Sequence, residues 1–154
     1  PIPDSYLVAW RLATSRRVLV AAPSYVAQFG LPTSPAELEG HRGIFYMNRG
    51  GADWRFVQQG RTTVVHGRSG LMLNNGDMMR DSAIAGLGIA LLPMFIVGDA
   101  LKSGVLIPID IGIEAETEFI YIAHSDSQHP SVKLRALADW LREAFGSPPY
   151  WDVS

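Results

Sequence analysis

The sequence predicts an α/β fold built on a mainly parallel sheet covered on both faces, and three observations predict it. Short apolar runs alternate with helix-start and helix-stop signatures along nearly the whole chain. Arg17 leads into Val18 to Ala22, an unbroken apolar run suited to a strand buried on both faces. The stretch Asn74 to Pro93 reads, in order, as helix N-terminus, helix, glycine stop and buried strand. That order leaves backbone N–H groups pointing out of the end of a sheet, where α/β proteins hold small polar or anionic ligands.

The elements follow in turn. Leu7 to Leu12 is a short apolar segment, and Arg17 to Ala22 is the first strand of the main sheet. Pro23 opens a helix at its first position and Gly30 closes it with a left-handed cap. Ser34, Pro35 and Glu37 repeat the device, with Ser34 as N-cap, Pro35 at the first helical position and Glu37 completing a capping box. Gly43 to Met47 is the next strand, and Asn48 to Asp53, with Gly50 and Gly51, is a loop. Trp54 to Val57 and Thr62 to Val65 pair as a hairpin across Gln58 to Arg61, and Arg68 to Leu73 leads into the Asn74 motif. Beyond Pro93 the sequence predicts a helix over Met94 to Leu101, a stop near Gly104, and a strand from Val105 to Ile109. Ile111 to Glu116 is an acidic loop and Phe119 to Ala123 a strand. The last helix starts with Pro130 at its first position and carries Val132, Ala136, Trp140 and Ala144 on one line, with Leu137, Leu141 and Phe145 beside it. After it, Pro148 and Pro149 predict an extended tail.

Composition narrows the class. With 47% hydrophobic and 18% charged residues, the 154-residue chain is too apolar for disorder and suits one domain of ordinary size. A net charge of −2 gives no basic footprint for gripping nucleic acid. The absence of cysteine excludes disulfides, thiolate metal sites and a cysteine nucleophile, and fits the cytoplasm. No apolar run approaches the length of a membrane span, so no membrane partner is expected. Pro1-Ile2-Pro3, lacking an initiator methionine, reads as the start of a piece cut from something longer.

Catalytic chemistry is not indicated. The four histidines, His41, His66, His124 and His129, are dispersed without the spacing of a metal pair, and neither metal nor cofactor is expected. Gly86 and Gly88 resemble the start of a dinucleotide fingerprint, but they follow a helix and precede a strand, the reverse of the order that brings backbone to pyrophosphate. His66 to Gly70 is off register for a nucleophile elbow. The chain is therefore expected not to be an enzyme.

Ligand-binding residues are sought instead at strand and helix ends. Asn74 and Asn75 have a structural role as N-caps and a functional one as ligand donors, and both hold if one caps while the other contacts. Asp77 in the first turn argues against a strongly anionic ligand very near it. Tyr46 and Asn48 end one strand, Ser24 occupies the equivalent place after Ala22, and Phe95 follows Pro93; these are expected to surround the same mouth. Trp54 and Phe56 suit packing better than ligand contact, and core filling is the default for Met78 and Met79.

The run Asn74, Gly76, Asp77, Arg80, Ala83, then Ala85 through Pro93, closely resembles the effector-binding domain of LysR-type transcriptional regulators. Arg11-Leu12, Pro23 to Val26, Gly30, Pro32 and Pro35 to Leu38 extend the likeness, as do His41 to Ile44, Trp54 to Phe56 with Gly60, Leu101 to Leu106 and Pro130 to Phe145. Together these cover nearly all of residues 7–146. The resemblance implies a periplasmic-binding-protein-like (type 2) α/β effector domain, here one complete subdomain II with part of subdomain I. It assigns residues 1–13 to the end of subdomain I and the hinge, 14–118 to subdomain II, 119–146 to the return strand and terminal helix of subdomain I, and 147–154 to a tail. Hinge crossings are expected near Ala13 to Arg16 and Thr117 to Ile120.

The implied function is regulatory. A small polar metabolite would bind between the subdomains and bias transcription by its differential affinity for two closure states. The effector-binding residues expected are Asn74, Asn75, Tyr46, Asn48, Ser24 and Phe95. DNA would be contacted only through a winged helix-turn-helix absent from this chain, within a homodimer or homotetramer. The terminal helix would lack its partner, leaving Trp140, Leu141 and Phe145 exposed and prone to self-association or disorder. A periplasmic solute-binding protein of a transport system is the alternative.

Overall fold

The computed structural model describes residues 7–125 and 131–152. They form two compact units: one comprises the chain up to Ser15 together with Thr117 onward, the other Arg16–Glu116.

In the first unit, β1 (Leu7–Ser15) and β9 (Glu118–Ser125) pair antiparallel, with a register shift between Arg11 and Ala13. Both strands are longer than their apolar stretches suggest, because ladder pairing from Leu7–Ser125 to Ser15–Glu118 carries them through polar residues. The Arg11 guanidinium lies 3.5 Å from the Phe119 ring centroid, a cation–π contact across this pair. Helix α5 (Val132–Phe145) packs on β1, and Arg142 Nε donates to the Arg11 carbonyl at 3.1 Å. Ser131 is its N-cap, accepting from the Leu134 N–H at 3.2 Å. The helix therefore starts after Pro130, which lies outside the described residues.

Two expectations for this helix are corrected. Its inner line is buried Ala138 with half-buried Leu134, Leu141 and Phe145, whereas Val132, Leu137 and Trp140 are exposed, Trp140 at 64%. Both lines repeat at helical spacing, and only contact with β1 distinguishes them. The tail is not extended. It turns back so that the Tyr150 N–H donates to the Phe145 carbonyl at 2.8 Å and buried Trp151 meets the Phe145 ring edge-on at 5.0 Å.

The second unit is built on five strands: β2 (Arg17–Ala21), β3 (Arg42–Tyr46), β6 (Arg68–Leu73), β7 (Ile89–Pro93) and β8 (Ile107–Ile109), ordered β6-β3-β7-β2-β8. Pairing is parallel for β3 with β6 and β7, but antiparallel for β2 with β7 and β8. Four strands thus share one direction and β2 runs against them, making the sheet mixed. Two crossovers explain the order: α3 (Gly76–Ile84) carries the chain from β6 over β3 to β7, and α4 (Met94–Lys102) carries it from β7 over β2 to β8.

Both sheet faces are buried. Val20, Ile44, Ala90 and Leu92 face α3 and α4, whose Met79, Ala83, Val97 and Ala100 are buried with them. Alternate residues Leu19, Phe45, Ile89 and Leu91 join Tyr25 of α1 (Pro23–Phe29) and Leu38 of α2 (Pro35–Leu38) in the opposite core. Ser34 caps α2 as expected, accepting from Glu37 N–H at 3.2 Å, while the Glu37 carboxylate returns to Thr33 N–H and Oγ1 at 2.7 and 2.8 Å. The hairpin of β4 (Asp53–Gln58) and β5 (Arg61–His66) turns on Gln59 and Gly60, both at positive φ, the backbone a two-residue hairpin turn requires. It fastens to the sheet through Trp54, 2% exposed, whose indole meets Phe45 at 4.9 Å. A Cβ on Gly43 or Gly67 would fall 2.8 or 2.7 Å from indole carbons, so both glycines make room for the ring. Among the described residues, no helix is long and apolar enough to cross a membrane.

Candidate functional site

Parallel β6, β3 and β7 all end at one edge of the second unit, and antiparallel β2 begins there, Arg17 lying opposite Pro93. The chain enters the unit at the same edge, where the Arg16 carbonyl accepts the Met94 N–H at 2.8 Å. Both long helices of the unit start here: a Cβ on Gly76, the first residue of α3, would fall 2.5 Å from Ile96 in the first turn of α4. Two helix N-termini and three strand ends therefore converge, an arrangement that favours a polar or anionic ligand.

Asn75 is the N-cap of α3, its Oδ1 accepting the Met78 N–H at 3.1 Å. Asn74 is exposed, and its side chain makes no hydrogen bond among the described residues. The backbone N–H groups of Gly76 and Asp77 likewise have no partner among them. The Asp77 charge is answered locally, since the Arg80 guanidinium reaches it at 3.2 Å while also donating to the Ile96 carbonyl at 3.4 Å. Asp77 therefore weighs less against an anion than its position in sequence suggests.

Tyr46, half-buried at the end of β3, stands opposite Leu73, which brings Asn74 alongside the turn that follows. That turn, Met47–Arg49, is a short 3-10 helix containing exposed Asn48. Phe95, 48% exposed, is in the first turn of α4. Met78 is also exposed here, at 54%, and does not fill the core as Met79 does. Ser24 is the residue the structure separates from this group. Because β2 runs antiparallel, its end is at the far side of the sheet, where Ser24 Oγ would lie 2.8 Å from a Cβ placed on Gly86 at the end of α3.

Next to Tyr46 is a cleft of about 360 Å³ lined by Arg17, Phe45, Arg49, Asp53, Trp54 and Leu91 among others. Sequence reasoning missed Arg17 and Arg49. The only signal for Arg17 was a basic residue preceding an apolar strand, and reading that strand as parallel sends it to the wrong edge. Asp53 is held by Arg55 at 3.3 Å. Trp54 lines the same cleft, and its buried indole N–H has no hydrogen-bond partner among the described residues. No group of three or more metal-ligating side chains occurs among the described residues.

Comparison with known proteins identifies the family and the fold. The LysR substrate binding domain family matches residues 1–146. An uncharacterized HTH-type transcriptional regulator of Haemophilus influenzae is 31% identical over 136 residues, covering 88% of this chain and 47% of that protein. The HTH-type transcriptional regulator CrgA of Neisseria meningitidis is 28% identical over 148 residues, covering 95% and 49%. The chain thus spans about half the length of these relatives. The solved CrgA regulatory domain superposes with a TM-score of 0.79 over 95% of this chain and 72% of that one, at 28% identity. Full-length AphB of Vibrio cholerae gives 0.74 at 25% identity, covering 92% and 49%. Sequence and fold agree, and the chain belongs to the LysR substrate binding domain family.

Proposed function

We propose that this chain is the sensing part of a LysR-type transcriptional regulator and binds a small polar metabolite at the sheet edge carrying Asn74, Tyr46, Asn48 and Phe95. Asn75 supports the site as the cap of α3. The observation that carries this reading is the pairing of a spent asparagine with an unspent one: Asn75 closes the helix, leaving the Asn74 amide and the N–H groups of Gly76 and Asp77 for a ligand. Arg17 and Arg49 add positive charge beside Tyr46, which favours a carboxylate or another anionic group on the metabolite.

In the longer protein, residues 14–118 act as subdomain II and residues 1–13 with 119–146 as part of subdomain I, the hinge being at the two chain crossings. The effector works by binding one closure state more tightly than the other. The regulator acts in the cytoplasm as a homodimer or homotetramer that covers the exposed stripe of α5, and reaches DNA through a separate helix-turn-helix. The named relatives are transcriptional regulators, which supports this reading over the transport alternative.

Calorimetric titration with small carboxylate and amide metabolites tests the site. Asn74→Ala should weaken the affinity of a bound metabolite more than Trp54→Phe does. Equal losses in the two variants would refute the assignment.

A further inference from the structure

At the opposite end of the second unit, where β3 and β6 begin, lies a bowl of about 270 Å³ lined by Tyr25, Phe29, His41, Arg42 and Arg68 together with Glu37 and Glu39. Arg42 and Arg68 are register partners in adjacent parallel strands. Like charges placed side by side on a sheet repel. Neither guanidinium makes an ion pair among the described residues. Glu37 is already engaged by Thr33 through two hydrogen bonds.

The bowl is built rather than incidental. The stem of Arg42 lies across Gly70, where an added Cβ would fall 2.5 Å from its Cγ, and its guanidinium stands 5.7 Å from the Phe29 ring centroid. Backbone bonds from Gly40 N–H to the His66 carbonyl and from Arg68 N–H to the His41 carbonyl lock the two strand starts together. Behind them, the buried Tyr25 hydroxyl accepts the Arg42 N–H at 3.2 Å and shares a hydrogen bond of 2.8 Å with His41 Nδ1. In the tautomer whose Nδ1 accepts from Tyr25, a neutral His41 carries its proton on Nε2 and adds a donor to the bowl it lines.

We propose that this bowl is a second ligand site, separate from the effector edge, that takes the single compact oxyanion of a small metabolite, phosphoryl or carboxylate, between Arg42 and Arg68. The oxyanion would relieve the repulsion between the two guanidinium groups and accept from their parallel donors. Glu39, which also lines the bowl, selects against ligands carrying a second negative group on its side.

The test is an amide NMR titration of the chain with inorganic phosphate, and separately with acetate, against chloride at constant ionic strength. Saturable shifts of Gly40, Arg42 and Arg68 are expected with phosphate or acetate, and the anion that saturates identifies the group recognised. Arg68→Gln, on the edge strand, should raise the dissociation constant about tenfold, as expected for loss of a charge-assisted hydrogen bond. Gly70→Ala should also raise it, because it keeps both charges but evicts the Arg42 stem; Arg61→Gln on the hairpin should not. Shifts that match chloride or never saturate would overturn the proposal, as would unchanged binding in Arg68→Gln. A Gly70→Ala chain that fails to fold leaves the decision with Arg68→Gln.

Discussion

Arg17 stands directly opposite Pro93 in the antiparallel pair of β2 and β7, so β2 begins where β7 ends. This register places a guanidinium beside Tyr46 and sends Ser24 to the far end of the sheet. For an anionic effector, Arg17→Ala should weaken binding by about 1.5–3 kcal/mol, the range of a hydrogen bond to a charged group. Ser24→Ala should leave affinity unchanged. Calorimetry on both variants measures the contrast, and equal losses would count against the edge as the site.

The two asparagines should separate stability from binding. Asn75→Ala removes the cap bond to Met78 and should cost about 1 kcal/mol in urea unfolding. Asn74→Ala removes no internal bond and should leave the unfolding midpoint in place.

Gly88→Ala should destabilise the second unit by about 1–3 kcal/mol, the usual cost of overpacking. A Cβ there would lie 2.8 Å from the Arg42 carbonyl oxygen, a backbone atom of the neighbouring strand. Chemical denaturation compares it with Gly51→Ala, where an added Cβ meets nothing within 4 Å.

The Tyr25–His41 pair predicts how stability depends on pH. Burial holds the His41 pKa below its usual value, so the unfolded chain takes up the proton first. The His41 contribution is complete above the unfolded pKa of about 6.5 and is lost as pH falls below it. Burial raises Tyr25, and the stability held by its neutral phenol is lost as pH rises past the unfolded value of about 10. Unfolding midpoints measured across pH should show the acid-side slope shrink in His41→Asn and the alkaline-side slope shrink in Tyr25→Phe. The groups lining the bowl beside this pair are Glu37, Glu39, Arg42 and Arg68, so all variants need the same buffer and ionic strength.

Much of this was legible from local chemistry. Ser34, Pro35, Gly30 and Asn75 mark their helix ends through bonds made within a few residues, and the structure places those ends close to where the residues do. Trp54 and Phe56 read as packing residues and are buried. Strand direction was not legible, because Arg17 to Ala21 has the same apolar pattern in either orientation and only its neighbours fix which end holds Arg17. The inner face of α5 was hidden for a related reason. Val132, Leu137 and Trp140 are as apolar as the line that packs on β1. Of the site, the asparagine pair and Tyr46 could be found by position after a helix start or strand end. Arg49 could not, since a basic residue in a glycine-rich loop has no periodicity to place it.

Of the four tryptophans, Trp10, Trp140 and Trp151 belong to the first unit, and Trp54 alone to the second. The indole that fastens the hairpin to the sheet is therefore also a built-in optical probe of the cleft it lines. In Trp10→Phe/Trp140→Phe/Trp151→Phe, emission comes from a single ring whose N–H faces no partner. A metabolite that enters the cleft changes the polarity around that ring and should shift the emission wavelength. Occupancy of the proposed effector edge could then be followed by light alone, without a label.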